Sequence, residues 1–120
     1  MTLTSGNVPR VDLACARGEA ITRTIRIRTD GTPRPLTGVD VQVVVESHGT
    51  DAARLVRGGT STGGSISVDD AAGAVTFTVN ATVTDALDYT ATWALWLQLA
   101  DATAADAIVH GSIQVEDVPR

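Results

Sequence analysis

Apolar and polar residues alternate along four segments of the chain. These segments are residues 21–28, 39–46, 75–80 and 109–116. Most positions on one face of each segment are Ile, Val or Phe, and most on the other are polar, with Val44 on the polar face and Gly111 on the apolar face as exceptions. Strands with one apolar and one polar face are typical of antiparallel sheets. Arg23 interrupts the apolar face of the first segment, which predicts a position near a sheet edge.

Shorter segments extend the same pattern. Val11, Leu13 and Cys15 share one face, and residues 55–56 and 66–68 are further strand candidates. Glycine-containing turn sequences separate the candidates. Short strands at this regular spacing predict an all-β sandwich or barrel.

One segment departs from the alternation. Residues 81–87 lie between two strong strands, and Asn80 or Thr82 is suited to cap one helical turn there. No longer window has sustained helical periodicity, so no long helix is expected. We therefore expect a single β-sandwich domain over residues 11–118, preceded by a flexible or partner-bound arm over residues 1–10.

The most apolar strand candidate spans residues 89–100 and carries two tryptophans in opposite phases. Its odd positions, which include Tyr89 and Trp93, predict a core face, whereas Trp96 falls on the even face. Two interpretations are open. In the first, the short helix or a long loop covers this strand, so that both faces are buried. In the second, Val44, Ala94 and Trp96 form an apolar patch at a protein–protein interface.

Composition narrows the range of functions. The chain has 120 residues, a net charge of −5, nine basic residues that are all arginine, and one cysteine. This length fits one domain. The acidic balance disfavours binding to nucleic acid or to an anionic membrane, and four aromatic residues are too few for a base-stacking platform. One thiol forms neither an internal disulfide framework nor a cysteine-based zinc site.

The sequence carries no targeting or membrane signal. Residues 1–10 are polar and lack the basic and apolar regions of a secretory signal. The longest strongly apolar run, residues 91–100, is far shorter than the roughly 20 residues that a membrane-spanning helix needs. We expect a protein that is made and assembled in the cytoplasm.

No constellation of residues points to catalysis, a metal or a cofactor. His48 lies beside a glycine in a turn, and His110 lies on the polar face of the last strand, so both are expected at the surface. Cys15 is in phase with Val11 and Leu13, which indicates a buried thiol. The chain has no nucleophile elbow, phosphate-binding loop or calcium-loop spacing. The prediction is a non-enzymatic domain without a cofactor.

The order of several short motifs resembles a known family. The motifs are Arg17-Gly18-Glu19, Asp30-Gly31-Thr32-Pro33, Leu36-Thr37-Gly38-Val39, Asp69-Asp70-Ala71-Ala72-Gly73-Ala74-Val75, Thr84-Asp85-Ala86-Leu87 and Gly111-Ser112-Ile113. In this order they resemble the small immunoglobulin-like β-sandwich domains of tailed-bacteriophage structural proteins, of which the N-terminal domain of baseplate upper proteins is the best-known member. The resemblance covers about residues 16–116. Family members usually have a glycine after the T-x-x-L turn, whereas this chain has Asp88-Tyr89-Thr90.

The resemblance implies a fold and a role. The fold is an antiparallel immunoglobulin-like β-sandwich with one short helical turn near residues 81–87. The role is that of a virion structural component, assembled in the host cytoplasm, in the baseplate, tail or head surface. Its partners would be other phage structural proteins, as a symmetric homo-oligomer or as an array on a symmetric platform, without nucleic acid or membrane. The residues that we expect at the protein interface are Arg10, Arg26, Arg28, Val44, Ala94 and Trp96.

A second function class remains open. A carbohydrate-binding or adhesin-type sandwich would need aromatic platforms, for which this chain has only four aromatic side chains. Enzymatic activity has no positive support in the sequence and is kept only because a fold does not dictate function.

Overall fold

A computed structural model describes residues 9–99, 106–117 and 119. Most of these residues lie in strands, and they contain one short helix. The elements, in chain order, are β1 (Leu13–Ala16), β2 (Ile21–Arg26), β3 (Arg28–Thr29), β4 (Thr32–Pro33), β5 (Val39–Ser47), β6 (Thr50–Val56), β7 (Gly64–Asp69), β8 (Ala74–Val79), α1 (Ala81–Ala86), β9 (Thr92–Leu99) and β10 (Asp106–Glu116). No helix among the described residues has the length and apolar character needed to cross a membrane.

The strands form two main sheets and one small hairpin. The larger sheet has the order β1-β10-β9-β5-β6, the smaller has the order β2-β8-β7, and β3 pairs with β4. Of the named strands, only β1 and β10 pair in parallel, and all the others pair antiparallel. The N-terminal strand therefore borders the C-terminal strand at one edge of the larger sheet.

The core lies between the two main sheets. Inward residues of β5, β8 and β9 alternate with more exposed ones, as the period-two pattern predicts. At its centre the ring centroids of Phe77 and Trp93 lie 5.4 Å apart. Cys15 is buried as predicted, and burial raises the pKa of its thiol. The arrangement is compatible with an all-β sandwich.

The beginning of β9 differs from the prediction. The segment 89–100 was expected as one strand with Tyr89 in the core, but β9 begins at Thr92 and Tyr89 is 97% exposed. The reason is the carboxylate of Asp88, which accepts hydrogen bonds from the Thr90 backbone N–H at 2.9 Å and from the Thr90 hydroxyl. This turn holds Tyr89 outside the sheet. Residue 100 lies outside the described residues.

The first predicted strand is also shorter than expected. Leu13 and Cys15 are buried, but Val11, which was expected on the same face, is 42% exposed and precedes β1. The Val11 carbonyl instead accepts a hydrogen bond of 2.8 Å from the Trp93 indole. The chain can cross here because residue 111 is glycine: a Cβ at Gly111 would lie 1.9 Å from the Val11 oxygen.

Two strands are longer than the prediction, and one is divided. β6 begins five residues before the predicted 55–56, and β7 exceeds the predicted 66–68 by two residues at its start and one at its end. The segment 21–28 is interrupted at Ile27, whose backbone N–H donates to the Gly73 carbonyl rather than to a strand partner. Arg23 lies on β2, an edge strand of the smaller sheet, as predicted.

The helix α1 connects the two sheets and confirms the predicted turn at 81–87. Asn80 occupies the N-cap position but makes no side-chain cap bond. At the other end, Arg17 donates to the carbonyls of Asp85 and Leu87, both at 2.9 Å, which satisfies acceptors that a helix end leaves free. The buried Thr84 hydroxyl donates to the Glu19 carbonyl at 2.9 Å. The Arg-Gly-Glu and T-x-x-L motifs therefore contact each other.

Candidate functional site

The outer face of the larger sheet, here called the Trp96 face, carries the exposed tryptophan. Trp96 points away from the core on β9 and is 36% exposed. Its cross-strand neighbours are Gln42 on β5 and Ala107 on β10. Neither Gln42 nor Ala107 is large, so the indole stands above its neighbours on this face.

A second row of outward residues crosses the sheet next to Trp96. Strand register pairs Arg54 with Val44, Val44 with Ala94, Ala94 with His110, and His110 with Arg10. Arginines therefore occupy both ends of this row, and the apolar residues Val44 and Ala94 lie between them. We call this set the arginine row. Val44 is only 8% exposed although it lies outside the core cluster between the sheets.

The third row is acidic and lies on the far side of the arginine row from Trp96. Register aligns Asp51, Glu46, Thr92 and Ser112 across the four strands from β6 to β10. Asp12 completes the row at the β1 edge, where its carboxylate accepts a 3.0 Å hydrogen bond from the Ser112 N–H. This bond, assisted by the nearby Arg10, lowers the pKa of the Asp12 carboxyl. We call this set the carboxylate row.

Ion pairs connect the two charged rows at both sides of the face. Arg54 lies 2.6 Å from Asp51, and Arg10 lies 3.0 Å from Asp12. All four side chains remain between 43% and 60% exposed. Pairs at this exposure add little to stability, but they fix the direction in which positive and negative charge point across the face.

Small residues at the centre of the face leave an open depression. Its volume is about 510 Å³, and its walls include Trp96, Val44 and Ala94 with Arg10 and Arg54 at its sides. An apolar floor with charged groups around it is the composition of a protein interface, in which an aromatic anchor is surrounded by a polar rim.

Four of the six predicted interface residues meet in this depression. Arg10, Val44, Ala94 and Trp96 all line it. Within the described residues, no part of α1 lines the depression and Trp96 is 36% exposed, so the short helix does not cover the indole. Coverage by a long loop stays a prediction, because residues 100–105 lie outside the described residues.

The other two predicted residues lie elsewhere. Arg26 ends β2 in the smaller sheet, and Arg28 begins β3, where its guanidinium donates to the Gly31 carbonyl at 3.2 Å. The structure does not bring them to the Trp96 face. They were grouped with it because alternation shows which side of a strand a residue occupies, but not which sheet the strand joins.

Sequence reasoning did not assign Gln42, Glu46, Arg54, Thr92 or His110 to this site. His110 was correctly placed on a polar face, but the pattern gives no indication that Arg10 and Ala94 are its neighbours. Arg54 was missed because β6 contains an irregularity opposite Val45 and Glu46, which disturbs its alternation.

A second polar cluster lies where the β5–β6 turn meets the loop before β9. The Asp88 carboxylate accepts hydrogen bonds from the Ser47 and Thr90 hydroxyls, and His48 Nδ1 lies 3.0 Å from its other oxygen. The Thr90 hydroxyl bond is the main cause of the lowered pKa of Asp88, and burial opposes this shift. His48 is 70% exposed, as predicted for a surface residue.

This cluster contains Ser, His and Asp but not the contacts of a catalytic triad. The buried Ser47 hydroxyl donates to Asp88 and not to the imidazole of His48. A nucleophile needs a base within hydrogen-bond reach. Instead, the hydrogen bonds of Asp88 link the β5–β6 turn to the loop before β9.

Metal ligands and known relatives add nothing further to the site. In the described part of the chain, no three His, Cys, Asp or Glu side chains are grouped closely enough to hold a metal ion. In comparisons with known proteins, no family model and no curated protein matched the sequence.

Proposed function

We propose that this protein is a non-enzymatic structural component of a tailed-bacteriophage virion that acts through protein–protein contacts made by the Trp96 face. The observation that carries the proposal is the exposed indole of Trp96 beside the apolar Val44 and Ala94, with paired charges on both sides. Aromatic anchors of this kind dominate the binding energy of interfaces.

The strand order supports an immunoglobulin-like fold as part of this proposal. A five-stranded sheet β1-β10-β9-β5-β6 packed on a sheet β2-β8-β7, with the connection β8–α1–β9 passing between them, is the order expected of such a domain. The hydrogen bonds of Arg17 and Thr84 connect two of the phage-like motifs, Arg-Gly-Glu and T-x-x-L. This contact also favours the resemblance. The fold is compatible with many functions, so the role rests on the face and the motif order.

The proposed location is the virion, with other phage structural proteins as partners and a symmetric arrangement of copies. Mass spectrometry of purified source particles tests the location, and immunogold electron microscopy then assigns the position in the particle. We expect the chain in the purified particles at a constant copy number. Its absence from them would overturn the proposal.

The role of the Trp96 face has its own test in particles complemented with variant genes. Trp96→Glu places a charge in the apolar depression and should reduce incorporation at least tenfold. Thr76→Glu, on the outer face of the smaller sheet, is the matched control and should incorporate normally. Equal incorporation of both variants would contradict a contact through the Trp96 face.

A carbohydrate-binding module is the second candidate, and one observation favours it. Trp96 and Tyr89 are both exposed aromatic side chains, and sugar sites are built on such residues. Glycan-array binding by the isolated chain, lost on Trp96→Ala, would support this function. Array binding that leaves particle incorporation unaffected by Trp96→Glu would favour it over the structural role.

A further inference from the structure

We propose that the partner of the Trp96 face is a second copy of this chain, bound face to face about a two-fold axis that runs across the strands between the arginine row and the carboxylate row. This inference rests on the proposed function, because it names the partner of the same face. It comes from the order of charges on the face and from the positions of the exposed aromatic residues.

The two charged rows make the face complementary to itself. A two-fold axis between them places the arginine row of one copy over the carboxylate row of the other. The Arg54–Asp51 pair then faces the partner's Arg54–Asp51 pair in the opposite direction, and the Arg10–Asp12 pair does the same. Two charge pairs in opposite directions attract each other, so four exposed ion pairs become two four-charge networks.

The alternative axis gives a different result. A two-fold axis along the strands would place each row over the same row of the partner, with the two ends of the row exchanged. Arg54 would then face the partner's Arg10. Like charges would then meet at both ends of the arginine row, which is unfavourable. The charge pattern therefore selects the axis that crosses the strands.

The same axis brings the exposed aromatic side chains together. Successive outward residues of a strand are about 6.8 Å apart, so Trp96 lies about 10 Å from the axis on one side. The equivalent position on the other side is the turn before β9, which carries the 97% exposed Tyr89. Tyr89 lines a second depression with the outward residues Ser112 and Gln114 and the inward residues Ile113 and Val115, so it stands at the end of the sheet, next to this face. Trp96 of each copy would pack against the partner's Tyr89 turn.

Sedimentation equilibrium of the full chain tests this dimer. We expect a monomer–dimer equilibrium in which Trp96→Ala weakens association at least 30-fold, as for a central aromatic anchor. Thr76→Ala, on the opposite outer face, is the control and should dimerise like the wild type. A wild-type chain that stays monomeric at every concentration overturns the second-copy inference and leaves virion incorporation as an independent test of the proposed function.

Charge exchange at one ion pair is the sharper test. Arg54→Glu places four carboxylates at the contact between the two Arg54–Asp51 pairs, and Asp51→Arg places four guanidinium groups there, so each variant alone should dimerise at least tenfold more weakly. An equal mixture of the two variants should form heterodimers, and the double exchange Arg54→Glu with Asp51→Arg should restore the homodimer. Circular dichroism checks that each variant is folded. Failure of both the mixture and the double variant to associate overturns the proposed axis, even if the wild type dimerises.

Discussion

The two sheets have outer faces that are built from the same period-two pattern but have opposite character. On the smaller sheet, register aligns Thr22 with Thr78 and Ser65, and the next row aligns threonines with a serine in the same way. The threonine hydroxyls lie 3.0 and 2.9 Å apart in these rows. We call this surface the hydroxyl face. It has small side chains that bond to one another and to water, whereas the Trp96 face has an apolar depression and paired charges.

The difference shows that an outward position is not by itself a solvated one. Hydroxyl groups on an exposed sheet satisfy their hydrogen bonds without a partner. An indole that is 36% exposed leaves apolar surface in water unless another molecule covers it. The contrast supports the proposal that the Trp96 face is the one with a partner, and substitutions beneath, beside and on the two faces test it.

The largest effect is expected beneath the Trp96 face. Gly111→Ala would place a Cβ 1.9 Å from the Val11 oxygen, so the crossing segment must move and the Trp93 indole loses its acceptor. The expected loss is about 2–4 kcal/mol in the free energy of unfolding, measured by urea denaturation. Gly59→Ala is the control, because its new Cβ would meet only the Val56 side chain, at 3.2 Å. If both variants lost the same free energy of unfolding, Gly111 would have no special role in letting the chain cross.

A smaller effect is expected where α1 contacts the segment between β1 and β2. Thr84→Val keeps the shape of the side chain but removes the hydroxyl that donates to the Glu19 carbonyl. Since the site is buried, the expected cost is about 1–2 kcal/mol in the free energy of unfolding. Thr82→Val, at an exposed position of the same helix, should change it by less than about 0.5 kcal/mol. If Thr84→Val lowered the free energy of unfolding by no more than the control, the stabilising role of the Thr84–Glu19 hydrogen bond would be contradicted.

Asp88, in the loop beside the carboxylate row, should make the free energy of unfolding depend on pH. The pKa of Asp88 is lowered in the folded chain, so its ionised form stabilises the fold above the ordinary carboxyl pKa. This contribution is lost as the pH falls through the lowered value. Urea denaturation as a function of pH should show wild type more stable than Asp88→Asn near neutrality, with the difference closing below about pH 4. Asp40→Asn is the exposed control. A difference that stays constant with pH would assign the effect to shape rather than charge.

The smallest effect is expected on the hydroxyl face. Replacing Thr24 and Thr76 together with valine exchanges one hydroxyl pair for an apolar cross-strand pair of similar shape. Thermal unfolding should change by no more than the equivalent of about 0.5 kcal/mol. A loss above about 1 kcal/mol would show that the hydroxyl rows hold the smaller sheet together, and the two faces would then differ less than we infer.

Alternation predicted most of the strands and the outward position of Trp96, because the side of a strand depends only on sequence parity. It could not predict that Arg54 and Arg10 end one row, since register is set by distant pairings and by irregularities such as the one in β6. It failed at Tyr89, where the local hydrogen bonds of Asp88 override an apolar phase. It also could not place Arg26 and Arg28, because alternation does not determine which sheet a strand joins.

The parallel pairing of β1 with β10 determines how the domain carries mechanical load. Because the two strands run in the same direction, the chain enters this pair at one end and leaves it at the other. Force applied between the segment before Leu13 and the segment after Glu116 would act along the strands in shear. Their hydrogen bonds would then resist together instead of opening one after another, so the domain could transmit tension through this edge of the larger sheet.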